Sequence, residues 1–181
     1  MTQAERYTTT IRRLKHAGLL GLWNGIKSGN TPGWPPGIAF EYLVLRAFEL
    51  EKAEVRYPYN VRLRSGINEQ IDGVIYAPGI NAIVEAKDRG PLTVEPVAKM
   101  RNQLHRRPSG AIGIIFSRGG FTLPALALAQ HLAPRTILLW PENEIDLALM
   151  KGKMLTGLTI KYRMAVEFGI PDSSLLEEGI L

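Results

Sequence analysis

Residues 2–29 place Ile11, Leu14, Leu19 and Leu22 at loosely helical spacing and run into "SGNTPGWPPG", a Gly/Pro/Trp-rich loop. "GIAFEYLVLRAFELEKA" then predicts a strong helix: Phe40, Leu43, Val44, Ala47 and Leu50 form an apolar stripe, and no Pro or Gly interrupts Ile38 to Ala53. After it the period changes from helical to alternating. "EVRYPYNVRL" reads as a strand that Pro58 restricts to an edge or an irregular entry. "EQIDGVIYAPGINAIVEAKD" supplies two more strands around Ala-Pro-Gly. A helix over residues 93–107, the apolar strand "GAIGIIFS", a helix in "FTLPALALAQHLA" and the strand "RTILLW" follow, with Thr122 as N-cap and Pro124 in the first helical turn. The tail "PENEIDLALMKG" and "MLTGLTIKYRMAVEFGIP" predicts two closing helices.

This order predicts an α/β fold with a mixed β-sheet flanked by α-helices, in which the early strands form an antiparallel meander and the later ones need crossovers. At 181 residues, 45% hydrophobic and 22% charged, the expectation is a single domain. It divides into an N-terminal helical extension and loop (1–36), a core (37–147) and a helical tail (148–181). No apolar run approaches membrane-spanning length and no secretory leader is recognisable, so a cytoplasmic protein without a membrane partner is expected.

With no cysteine, disulfides, thiolate-bound zinc, iron-sulfur clusters and cysteine nucleophiles are excluded, and any metal must sit on oxygen or imidazole. His16, His105 and His131 show no metal-ligand spacing. No G-x-S-x-G elbow and no Gly-rich phosphate loop is present, and the glycines of "FSRGGFT" read as a turn. The net charge of +5 and the basic clusters "TIRRLKH", "VRLRSG" and "KMRNQLHRRPSG" favour a polyanionic partner, although each cluster alone also suits a solvated face.

The hairpin carries the candidate chemistry. A turn centred between Pro78 and Gly79 sets Asp72 opposite Glu85 and Gln70 opposite Lys87. Alternation then puts Asp72, Glu85 and Lys87 on one face and Ile71, Ile75, Val84 and Ala86 on the other. Two carboxylates that close repel each other. A divalent cation between them would offset the repulsion; so would Lys87 on a solvent-facing strand, and both readings stand at this level.

Several motifs, in this order, resemble the PD-(D/E)XK nuclease superfamily and its Mrr-like restriction endonucleases over residues 37–147. "GIAFE" is similar to the opening of the family's first core helix, "QIDG" and "VEAK" to its catalytic strands, "MRNQL" to the following helix, and "IIFSRGGFTLPALALAQ" to the later strand, turn and helix. The resemblance implies a restriction-endonuclease-like fold and a hydrolase, an endonuclease acting on DNA with Mg²⁺, for which Mn²⁺ substitutes. It implies that Asp72, Glu85 and the Ala86 carbonyl hold the ion, that Glu41 adds a further metal contact, that Lys87 orients the attacking water, and that Gln103 is an accessory polar residue. Arg62, Arg64, Arg101, Arg106 and Arg107 become candidates for DNA backbone contacts.

The chain departs from the family in having Glu85 where Mrr-like proteins commonly carry Gln, which should not weaken metal binding. Residues 1–36 are also too few for a separate recognition domain, which takes about 50 residues or more. Homodimerisation or a specificity partner is then one expectation for target choice. A non-catalytic nucleic-acid-binding or assembly module, and a junction or RNA nuclease, are alternatives on the same fold.

Overall fold

The computed structural model describes residues 2–62, 64, 66, 68–131 and 136–176. The N-terminal stretch forms two helices, α1 (Gln3–Arg12) and α2 (His16–Lys27), where one helical segment was expected. A capping box between Thr2 and Glu5 starts α1. Its break comes at residues 13–15, where Arg46, from the helix that follows α2, ties down the carbonyls of Arg12 and Leu14.

Helix α3 (Ile38–Leu50) is buried nearly all round, a wider apolar face than the predicted stripe, because α1, α2, a strand sheet and the C-terminal helix all pack on it. It ends where Lys52 adopts φ 76° and the Ala53 N–H turns back to the Phe48 carbonyl.

The segment expected as one strand is two: β1 (Glu54–Arg56) and β2 (Tyr59–Arg62), separated at Pro58, which lacks the N–H a continuous ladder needs. Leu63, at the end of the predicted strand, lies outside the described residues. Strands β3 (Asn68–Ile71), β4 (Gly73–Ala77) and β5 (Ile80–Lys87) follow. The main sheet has the order β1-β4-β5-β6-β7, and β2 and β3 form a separate two-stranded ribbon. The expected meander is therefore interrupted: β1 pairs antiparallel with β4, and the ribbon is inserted between them in sequence.

Helix α4 (Val94–Leu104) crosses to β6 (Ala111–Ser117) and α5 (Leu123–Gln130) crosses to β7 (Ile137–Pro141), both strands adding in parallel. Helix α4 ends three residues before the expected limit. The predicted helical residues Leu132 and Ala133 and the predicted strand residue Arg135 lie outside the described residues. Helices α6 (Glu142–Lys151) and α7 (Met154–Phe168) complete the chain. The fold is α/β, a mixed five-stranded sheet flanked by helices.

Two apolar layers sandwich the sheet. Ile75, Ala82, Val84, Ala86, Phe116 and Trp140 face α1, α2, α3, α6 and α7. Val74, Ile83, Ile115 and Leu139 face α4 and α5 through Val97, Met100 and Ala125. Among the described residues no helix is long and apolar enough to cross a membrane.

Candidate functional site

The β4–β5 register matches the sequence expectation: Gly73 pairs with Val84 and Ala77 with Ile80 around a turn in which Gly79 takes φ 76°. One step beyond that ladder the two strands diverge. Gln70 pairs with Asn60 of the ribbon instead of Lys87, and Ile71 pairs with Tyr59. Ile71 accordingly packs in the α4 layer with Val74 and Ile83, whereas strict alternation had placed it with Ile75 and Val84. The chain changes sheets at Asp72, so alternation does not carry through that residue.

Asp72 and Glu85 are both 2% exposed, which removes the reading of a solvent-facing strand. Asp72 Oδ2 accepts the Ala86 N–H at 3.0 Å and the Lys87 amine at 3.2 Å. The same Lys87 amine lies 2.8 Å from Glu85 Oε1. It also reaches the Ala86 carbonyl at 3.4 Å. A lysine thus bridges the two carboxylates where the sequence had suggested a cation or a neutralising lysine as alternatives.

Gly73 follows Asp72 because the α3 layer leaves no room for a side chain. A Cβ there would lie 2.6 Å from both Leu45 methyl carbons. This close approach keeps α3, and with it Glu41 in its first turn, against the strand end. Glu41 is 7% exposed, not the exposed helical acid that an isolated helix would present. Its buried Oε2 has no hydrogen-bond partner among the described residues. Burial, then the Asp72 charge, pushes its carboxyl up to about 8 against the lowering effect of Lys87. Burial and Glu85 likewise raise Asp72 above the usual carboxylate range. Burial alone would lower the Lys87 amine, but Asp72 and Glu85 outweigh it and hold it above its ordinary value.

Lys99 is the component that sequence reasoning missed. From α4 it donates to both carboxylate oxygens of Glu85 at 2.9 Å. It stands one turn before Gln103 on the same helix face, so extending that face backwards by four residues would have found it. Gln103 is buried and donates to the Gln70 carbonyl at 3.4 Å, bracing β3 where it leads into Asp72. It therefore supports the site through the backbone.

The candidate DNA contacts divide. Arg62 and Arg64 are exposed and Arg101 is half-buried. Arg106 and Arg107 both pair with the buried Glu69, and Arg107 also donates to the Gln103 carbonyl. Against its burial, these guanidiniums hold the Glu69 carboxyl below the usual range. They tie α4 to the ribbon.

Three carboxylates, a backbone carbonyl and no sulfur make a hard-oxygen donor set of the kind Mg²⁺ takes, and the unpartnered Glu41 oxygen is a donor in need of a partner. Among the described residues, however, no three His, Asp or Glu side chains are already closed to metal-ligand spacing. In this arrangement Lys87 and Lys99 supply the positive charge.

No family model matches the chain, and no curated protein matches it. Among solved structures it is similar to the crystal structure of a protein of unknown function, AF1548, at 18% identity and a TM-score of 0.49, over 72% of this chain and 77% of that one.

Proposed function

We propose that the chain is a metal-dependent endonuclease of the restriction-endonuclease-like kind, hydrolysing DNA phosphodiester bonds with Mg²⁺, or Mn²⁺ in its place. The observation that carries the reading is the burial of Asp72, Glu85 and Glu41 beside the Lys87 and Lys99 amines, with Glu41 Oε2 left without a partner among the described residues. A third buried carboxyl beside two amines ionises only at a cost unless a further positive charge joins it.

Asp72, Glu85 and the Ala86 carbonyl would hold the ion, with Glu41 completing its shell. When bound, the ion supplies charge neutralisation at the phosphate and a lowered pKa for water. Lys87 holds Asp72 and Glu85 in register, and its amine is placed to orient a water and to offset charge on the phosphate. Lys99 fixes the Glu85 carboxylate from the other side. Arg62, Arg64 and Arg101 are the better candidates for backbone phosphates, since Arg106 and Arg107 are engaged by Glu69.

The test is cleavage of supercoiled plasmid with Mg²⁺ or EDTA, run beside Asp72→Ala and Lys87→Ala. Cutting that requires the metal and disappears in both variants supports the reading. Metal-independent cutting, or full activity in the variants, overturns it.

A further inference from the structure

The N-terminal extension builds one wall of a cleft that ends at Glu41. The cleft measures about 260 Å³ and is lined by Gln3 and Tyr7 of α1, Glu41 of α3, and Tyr59, Asn60 and Gln70 of the ribbon. Helix α1 is a fixed wall. Tyr7 stacks on Trp34 with ring centroids 5.1 Å apart and meets Tyr42 edge-on at 5.7 Å, and the Tyr42 hydroxyl donates to the Ala4 carbonyl at 3.4 Å. The opposite wall is held as well, because the Arg56 guanidinium lies 3.6 Å from the Tyr59 ring centroid.

The chemistry of the lining selects the ligand. Among the described residues that line the cleft there is no Lys, Arg or His, so it is not built for a phosphate. It presents instead three tyrosines, Tyr7, Tyr42 and Tyr59, and three primary amides. Asn60 and Gln70 face each other across the ribbon, both are exposed, and among the described residues neither side-chain amide is bonded within the protein. The Gln3 amide donates to the Tyr7 hydroxyl at 2.8 Å, which orients it at the rim. Each amide offers both a donor and an acceptor. A neutral, planar ring with donors and acceptors on one edge satisfies this set, and the volume, small for a ligand cleft, admits one such ring. That description is a nucleobase.

We propose that this cleft is a nucleobase subsite, receiving the base of a nucleotide beside the bond cleaved at Asp72, Glu85 and Lys87. Its placement along a substrate rests on the nuclease reading above, because Glu41 is shared between the cleft and the acid cluster. The base packs against the tyrosines, and Asn60 and Gln70 read its edge. The N-terminal extension contributes to substrate choice as a wall of this subsite.

The test uses the full chain in EDTA with the four free deoxynucleosides, followed by saturation-transfer NMR, beside the exposed-residue variant Asn60→Ala/Gln70→Ala and beside Tyr7→Ala. Transfer to base protons of at least one nucleoside, weakened roughly tenfold in the double variant and not competed by inorganic phosphate, supports the subsite. Absence of nucleoside binding, or binding unchanged in both variants, overturns it. The two readings fail separately: a wild-type protein that binds a nucleoside here but cuts no DNA sinks the nuclease and keeps the subsite. One that cuts DNA and binds no nucleoside does the reverse.

Discussion

Asp72 receives the backbone N–H of Ala86 at 3.0 Å, so the carboxylate is fixed by the strand that also carries Glu85 and Lys87. An Asn at this position keeps an oxygen for that hydrogen bond and exchanges the charge and the second acceptor oxygen for an amide NH2. Asp72→Asn is therefore expected to fold with near wild-type stability and to lose DNA cleavage by more than about 100-fold, since even outer partners of a metal site cost roughly 10–100-fold. Thermal melts and plasmid nicking measured on the same preparation check both halves.

Excess buried acid predicts a stabilising response to divalent cations. A ligand at about 100 times its Kd stabilises by about 2.7 kcal/mol, which for a protein of this size raises Tm by roughly 5–10 °C. Saturating Mg²⁺ or Mn²⁺ should produce such a rise, EDTA should reverse it, and Glu85→Gln should abolish it. An unchanged Tm across a millimolar titration would remove the metal from the proposal.

The Glu41 carboxyl, raised to about 8 from an ordinary 4.5, sets a pH dependence. The unfolded chain ionises this group near pH 4.5 while the folded protein still holds the proton. Its linkage favours folding below that point and is lost as the pH rises to about 8. Glu41→Gln should flatten this decline and melt several degrees above the wild type at pH 9, with the gap closing toward pH 4.5. Melting curves across that range decide it. Divalent ions compete with the proton for the same oxygens, so their affinity for the wild type should climb over the same window.

Much of this arrangement was legible in the sequence because it is local. Ala-Pro-Gly fixed the hairpin register, and the register put Asp72 beside the Glu85 strand. What escaped was tertiary. Lys99 is 14 positions from Glu85 in sequence but reaches it only through the α4 crossover. The ribbon was hidden because Pro58 looks like an irregularity within one strand, whereas it separates strands of two sheets. Alternation gave the wrong side for Ile71 for the same reason. The burial of Glu41 follows from helices packed around α3, including three, α1, α2 and α7, from outside the predicted core.

Gly73 offers a test of how α3 is positioned. The methyl of Gly73→Ala meets both Leu45 methyls at 2.6 Å, and overpacking of this kind costs about 1–3 kcal/mol. A fall in Tm of several degrees is expected, along with weaker metal response as Glu41 is pushed away. Leu45→Val in the same chain should recover part of the stability. Equal melting of Gly73→Ala and wild type would show that Leu45 yields freely.

The C-terminal tail is anchored by a buried charge pair: Lys161 is 0% and Glu144 3% exposed in their side chains, at 2.6 Å. Lys161→Met should cost about 3–5 kcal/mol by stranding the carboxylate. The double variant Glu144→Leu/Lys161→Met should regain most of that loss. Denaturant unfolding of the three proteins measures the difference.

Lys99 and Gln103 sit one turn apart on α4, one gripping a strand of the main sheet and the other the backbone of the ribbon. Among the described residues the two sheets share no ladder. Together with Arg106 and Arg107 on Glu69, this turn of α4 clasps the two sheets, and any displacement of α4 is transmitted to both jaws of the acid cluster at once.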